Sequence, residues 1–302
     1  MSTVARAVQP QAVGYPHELR ALVDDYIARL RFAHQPGVAG LEDAMRYSLL
    51  AGGKRIRPVL TLATARAIGR DPREVLPLAG ALELIHTFSL VHDDLPAIDD
   101  DDLRRGRPSA HRRFGEDVAI LAGDALFAEA FRLALHEQRG EPARVLAAVT
   151  ALADATGVDG MAGGEYIDVR ALAGVGGVGL RRLHRLKTGR LIRASVECVL
   201  LLDAVPEPAL GELRRFGDTL GMLFQIVDDV LDATHSAAEL GKPSGSDARH
   251  GKLTYVSCYG VAGARRLAVE AHSGARAALA RALPAGAAEL EQIADIVLAR
   301  SA

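Results

Sequence analysis

A chain of 302 residues, 49% of them apolar, is long enough for one large core or two ordinary ones. Its formal net charge of −2 gives neither nucleic acid nor an anionic membrane a bulk electrostatic attraction. Two widely separated cysteines, Cys198 and Cys258, have no metal or redox spacing and argue against a disulfide framework. No apolar run approaches the roughly 18 residues of a membrane span, and the N-terminus lacks the apolar core of a signal peptide. A cytoplasmic protein is expected. Helical periodicity then predicts helices over 17–34, 41–51, 55–69, 73–94, 115–138, 142–170, 178–203, 208–234, 252–282 and 286–300. Breaks fall at Gly52-Gly53, Asp71-Pro72, Gly106 to Pro108, Gly140 to Pro142, Gly174 to Gly179, Pro206 to Pro208 and Gly241 to Gly245. None reads as a linker and no tandem repeat is visible. The expectation is an all-α, single-domain protein over 16–302, behind a flexible N-terminal segment, 1–15.

Two acidic clusters carry the chemistry. The first runs Asp93-Asp94-Leu-Pro-Ala-Ile-Asp99 and continues through Asp100, Asp101 and Asp102 into Leu-Arg104-Arg105-Gly-Arg107. Leu82, His86, Ser89 and Asp93 advance by four, three and four, and so share one helix face. Pro96 stops regular helix near Asp94, and the residues that follow let the chain turn back to bring Asp99 near Asp93. The second cluster, Phe224-Gln225-Ile-Val-Asp228-Asp229-Val-Leu-Asp232, lies inside a helix. Gln225, Asp228 and Asp232 share a face there, with Asp229 about 100° away.

Acidic runs are usually solvated, and Asp100 to Asp102 alone fit that reading as well as any other. The second cluster does not, because Phe224, Ile226, Val227, Val230 and Leu231 interleave with its carboxylates. Carboxylates packed this closely raise one another's pKa unless a cation joins them. Magnesium prefers such oxygens and completes its shell with substrate phosphates. Matching cations are present: Gly52-Gly53-Lys54-Arg55-Ile-Arg57-Pro58 opens a helix, where free N–H groups favour phosphate. Arg104, Arg105, Lys187-Thr188, Lys242 and Lys252 add others, and His86 shares the face of Asp93.

Six motifs occur in order: GGKRIRP at 52–58, LIHTFSLVHDDLPAIDDDDLRRGRPS at 84–109, GG-E-Y-I-D at 163–168, LKTG at 186–189, FQIVDDVLD at 224–232, and GK followed by GKLTY at 241–255. Over roughly residues 40–300 the chain resembles the trans-isoprenyl diphosphate synthases, particularly bacterial farnesyl or geranylgeranyl diphosphate synthases. The resemblance implies a polyprenyl synthetase catalytic domain, built as an antiparallel helix bundle around a deep central apolar cavity and usually assembled as a homodimer. It implies that Asp93, Asp99 and Asp228 coordinate Mg2+, with Asp94 and Asp232 close by. It assigns Lys54, Arg57, His86 and Arg105 to isopentenyl diphosphate. Arg104, Lys187, Thr188, Gln225, Lys242 and Lys252 fall to the allylic diphosphate, and Asp93, Asp99, Arg104, Lys187 and Asp228 carry the ionisation. Phe88, five residues before the first motif, is implicated in chain length; Ser89 faces the cavity more directly but is too small to close it. Two departures stand out. Glu165 replaces the family's common glutamine, an extra charge that repels diphosphate unless Lys187 neutralises it, and Gly174 to Gly179 is unusually glycine-rich.

The expected reaction is head-to-tail condensation of isopentenyl diphosphate with an allylic diphosphate (dimethylallyl, geranyl or farnesyl). Farnesyl diphosphate is the first product reading and geranylgeranyl diphosphate the alternative. A class I terpene cyclase fits less well, because its second motif typically carries Asn/Asp, Ser/Thr and Glu and it has no use for a second diphosphate site. A noncatalytic paralogue commonly loses one acidic motif, and both are intact here.

Overall fold

The computed structural model describes residues 15–172, 177–234 and 252–300. Lys242 and the Gly241 to Gly245 break lie outside the described residues. Among those residues the regular structure comprises thirteen α-helices, two short 3-10 helices, one π turn and one two-stranded hairpin. Helix α1 (His17–Arg29) is shorter than the sequence pattern. The Glu42 carboxylate accepts the N–H groups of Phe32 and Ala33 at 3.2 and 2.6 Å, drawing the chain out of the helix. Next come α2 (Ala39–Leu49), α3 (Ile56–Ala67) and α4 (Leu76–Asp93). Helix α4 is buried on nearly every side, and its buried Glu83 pairs with Arg55 at 2.6 Å.

A short hairpin, β1 (Leu103–Arg104) with β2 (Arg107–Pro108), follows the first acidic loop. Its turn residues Arg105 and Gly106 both have positive φ, 55° and 73°, the backbone of a two-residue hairpin turn that follows strand twist. Then come α5 (Ala110–Phe114), α6 (Glu116–Glu137), α7 (Pro142–Thr156) and α8 (Met161–Val169). The continuous helix expected over 142–170 is therefore two helices. At Gly160 an added Cβ would lie 2.3 Å from the Ala155 carbonyl oxygen, so only glycine allows this turn.

The helix expected over 178–203 divides into α9 (Gly177–His184), a π-helical turn (Arg185–Gly189) and α10 (Arg190–Asp203). Gly177 and Gly179 of the expected 174–179 break thus lie in the first turn of a helix instead. The chain ends with α11 (Ala209–Thr234), α12 (Tyr255–Ala282) and α13 (Ala288–Ala299). The main packing pairs are α11 with α12, α4 with α6, and α10 with α7 and α11.

Contrary to the reading of apolar runs, Pro72–Asp93 and Pro142–Val169 are long and apolar enough to cross a bilayer by length and composition. Scattered glycines and polar residues interrupt their runs, yet the averages stay apolar. The first of these stretches is mostly buried inside the protein, as a core helix would be.

The direction of each helix places the motifs. The N-termini of α3 and α12, the C-termini of α4, α8 and α11, the hairpin after α4 and the π turn before α10 carry every motif within the described residues. The opposite termini of α3, α10 and α12 meet at a separate groove of about 780 Å³, lined by Ala67, Arg70, Asp203 and Leu283 among others, which shares none of the motif residues.

Candidate active site

The basic part of the site begins at Gly52 and Gly53, whose φ angles of 85° and 118° turn the chain into α3. A Cβ on Gly53 would sit 2.7 Å from the guanidinium carbon of Arg105, so glycine makes room for that side chain. Arg105 in turn donates to the Gly52 carbonyl. Of the three cations in this segment, Arg55 is internal: it pairs with Glu83 and Asp24 and donates to the Leu49 carbonyl at 2.8 Å. Arg57 makes no ion pair among the described residues, and its Nε is buried without a partner. Burial, with neighbouring Arg105, lowers it to about 10 against the attraction of Glu83 and Asp228. His86 is held well below its ordinary value by burial and then by Arg57, Arg105, Arg104 and Arg55. Burial and, next, Arg300 also lower Lys54, while Asp228 opposes them. Among the described residues none of these three groups forms an ion pair.

The acidic part lies beside it. The Asp99 N–H donates to the Asp93 carbonyl at 2.9 Å, closing the turn after α4 as the Pro96 argument required. Lys252 reaches across from the start of α12 to Asp99 at 2.8 Å and stands 3.9 Å from Asp168. Lys187 is clamped by Glu165 at 2.7 Å and by Asp168 at 2.6 Å. Burial pulls this ammonium down, but Glu165, Asp168 and Asp93 outweigh it and hold the group charged. Gly164 makes the clamp possible, since a Cβ there would lie 2.2 Å from the Lys187 backbone nitrogen. The neutralisation of Glu165 by Lys187 is present as an ion pair. The second Glu165 oxygen, Oε1, remains buried without a partner.

Asp94 turns away from this group. Its carboxylate accepts from Arg104, at 2.9 Å for Nε, and Arg104 also reaches Asp101 at 3.2 Å. Thr188 donates to Gln225 at 2.7 Å, Gln225 to Asp229 at 2.7 Å, and the Tyr255 N–H to Asp229 at 2.7 Å. This chain ties the π turn, the second acidic motif and α12 together. Asp229, placed off the motif face by its phase, is therefore the buried anchor of the motif. Asp228 stays half-exposed, 4.0 Å from Arg300, and Asp232 is buried. Arg300 and Asp229 were not singled out in the sequence. The only hint of Asp229 was its phase, and Arg300 lies far along the chain beside no motif.

The donor set fits magnesium. Asp93, Asp99, Glu165 and Asp168 crowd together here, and among the described residues the ammonium groups paired with them are Lys187 and Lys252. Burial and then Glu165 push Asp93 far above the ordinary carboxylate range, despite Lys187, with Asp99 adding to the rise. That excess of hard, negatively charged oxygen is what a divalent cation relieves. Farther from the rim, Phe88 packs edge-to-face on Phe127 at 5.1 Å, and Phe127 does the same on Phe131 at 5.1 Å. The Ser89 hydroxyl donates to its own helix, at the His86 carbonyl, 2.9 Å away.

An all-helical bundle with these two halves at one end has the architecture of the isoprenoid synthase class. It superposes on a geranyltransferase from Helicobacter pylori, complexed with magnesium and isoprenyl diphosphate, with TM-score 0.82 and 27% identity over 97% of this chain and 98% of that one. The family described as Polyprenyl synthetase matches residues 38–285, and the chain belongs to that family. It is 43% identical to farnesyl diphosphate synthase of Geobacillus stearothermophilus, over 91% of this chain and 92% of that protein. It is 44% identical to large subunit 1 of the chloroplastic heterodimeric geranylgeranyl pyrophosphate synthase of Arabidopsis thaliana, over 78% of this chain but only 66% of that protein.

Proposed function

We propose that this chain is a short-chain trans-prenyltransferase that condenses isopentenyl diphosphate with dimethylallyl or geranyl diphosphate and releases farnesyl diphosphate. One observation carries the reading: among the described residues Arg57, His86 and Arg105 form no ion pair, whereas Lys187 and Lys252 are each paired with carboxylates. Two distinct anion positions serve two diphosphates, whereas a cyclase needs one. Arg57, His86, Arg105 and Lys54 hold isopentenyl diphosphate; His86, kept neutral, contributes an N–H rather than a charge. Arg104, Lys187, Lys252, Thr188 and Gln225 surround the allylic diphosphate, joined by Lys242. Asp93, Asp99 and Asp228 hold Mg2+, with Asp94 and Asp232 behind them; when bound, the metal neutralises charge on the departing diphosphate.

Lys187 leaves its clamp for a diphosphate oxygen as the allylic carbon–oxygen bond breaks and its electron pair stays with the leaving group. The apolar surroundings exclude water while the double bond of isopentenyl diphosphate attacks the allylic carbon. A proton lost from the isopentenyl unit passes to the released diphosphate, so no side-chain base is required. Phe88, backed by Phe127 and Phe131, favours a fifteen-carbon product, with geranylgeranyl diphosphate as the second reading. Ile120, Leu121 and Leu135 on α6 are 44, 56 and 52% exposed, which fits a homodimer face in a cytoplasmic enzyme. The test supplies purified protein with Mg2+, isopentenyl diphosphate and each allylic starter, then sizes the dephosphorylated products. Consumption of an allylic starter without isopentenyl diphosphate would instead identify a cyclase. Sedimentation of the same preparation tests the dimer.

A further inference from the structure

A second group of ligand atoms lies outside the diphosphate site. The hairpin that follows the first acidic loop folds α5 back on it, and the Ser109 N–H donates to the Asp102 carbonyl at 2.9 Å. This brings His111 against the loop. One ring nitrogen of His111 and one oxygen from each of Asp100 and Asp102 lie within 4.8 Å of one another. His111 is only 6% exposed. Its Nδ1 is 3.1 Å from the Ser109 hydroxyl, while Nε2 is buried with no partner. A buried nitrogen without a hydrogen bond is costly unless something else satisfies it.

Among the described residues no hydrogen-bond partner answers that need. Asp94 and Asp101 are committed to Arg104. Asp102 has an ion pair with Arg112 at 3.0 Å, but both side chains are more than half exposed, so the pair is weak and leaves the carboxylate able to accept a cation. Asp100 is exposed. Unlike Asp99 and Asp168, neither Asp100 nor Asp102 is paired with a lysine among the described residues.

We propose that Asp100, Asp102 and His111 form a separate cation site, selective for divalent ions that accept nitrogen ligands, such as Zn2+ or Co2+, over Mg2+. An imidazole in the donor set favours these ions, whereas magnesium prefers oxygen alone. Zinc accepts both imidazole nitrogen and carboxylate oxygen, at bond lengths of about 2.0–2.2 Å, with water free to fill a remaining position. The exposed carboxylates close on the ion by side-chain rotation while buried His111 stays in place. The bound ion then pins the loop carrying Asp99 to the hairpin carrying Arg104 and Arg105, outside the diphosphate site itself.

The experiment titrates chelator-treated full-length protein with Co2+, without any diphosphate and with Mg2+ in large excess. Visible d–d absorption reports inner-sphere binding, and calorimetry with Zn2+ gives affinity. One ion per chain is expected, undisturbed by Mg2+. Asp102→Asn and His111→Gln should each weaken binding at least tenfold, about the loss seen when even an outer-shell partner of a metal ligand is removed. Asp93→Asn should leave it unchanged. If His111→Gln fails to fold, the exposed Asp102→Asn decides alone. Absence of saturable binding, equal binding by wild type and Asp102→Asn, or loss of the signal in Asp93→Asn would overturn the proposal. The last result would place the ion at the diphosphate site, and none of the three would bear on whether the chain is a prenyltransferase.

Discussion

Lys187 is held by two carboxylates at 2.7 and 2.6 Å, so it must give up both before it serves a substrate oxygen. Glutamine at position 165 would keep the shape of Glu165 and one acceptor oxygen while removing a full charge beside the diphosphate. Glu165→Gln should therefore preserve or improve turnover and lower the allylic KM severalfold, as steady-state kinetics would show; a collapse in kcat would mean that the carboxylate itself is needed. Arg57 and Lys187 make a second comparison. Each charge-assisted hydrogen bond is worth about 1.5–3 kcal/mol, or roughly 10–150-fold. Arg57→Ala should raise the KM for isopentenyl diphosphate by that order and Lys187→Ala the KM for the allylic partner. Equal rises in both constants for both variants would contradict two separate sites.

At the scale of helices, what the sequence made legible follows from what periodicity can encode. Helix α11 was readable because its apolar phase is strong, and α4 because it is a long, mostly apolar stretch that Pro96 must stop. The π turn that presents Lys187 and Thr188 was not, because one extra residue in a helical turn leaves the local pattern nearly unchanged. The turn between α7 and α8 hid for a similar reason: Val158 looks like a helix residue yet is 86% exposed. Two-residue strands are too short to show alternation. The pairing of Lys187 with Asp168 joins different helices, and helical phase within each says nothing about that contact. Product length belongs to this scale too. Phe88 from α4 meets Phe127 and Phe131 from α6 in one edge-to-face column. Phe88→Ala should open that column and shift products toward twenty carbons or more. An unchanged distribution in a folded, active variant would move the length determinant elsewhere.

Across the whole molecule, buried titratable groups couple folding to pH. His184 is lowered to about 4, chiefly by burial, against an unfolded value near 6.5. Its neutral form is the folded one, so between those values the unfolded chain binds more protons and this histidine's contribution falls as pH falls, by up to ~1.4 kcal/mol per pH unit. Asp93 and Asp94, raised by burial, pull the other way. Wild type must therefore be compared with His184→Asn in urea melts: wild type should lose stability relative to the variant from pH 6.5 down to about 4. Parallel pH curves would contradict the buried neutral imidazole.

The most direct test of the whole account is turnover of isopentenyl and geranyl diphosphates by wild type, Asp93→Ala and Asp228→Ala, with Mg2+ and with excess chelator. Both variants lose a hard oxygen ligand but little apolar packing, so they should stay folded by circular dichroism while turnover falls by orders of magnitude. The wild type should yield a fifteen-carbon product with Mg2+ and none in chelator. Wild-type turnover in chelator, or near-normal rates in both variants at saturating metal, would contradict a metal-dependent condensation at this site.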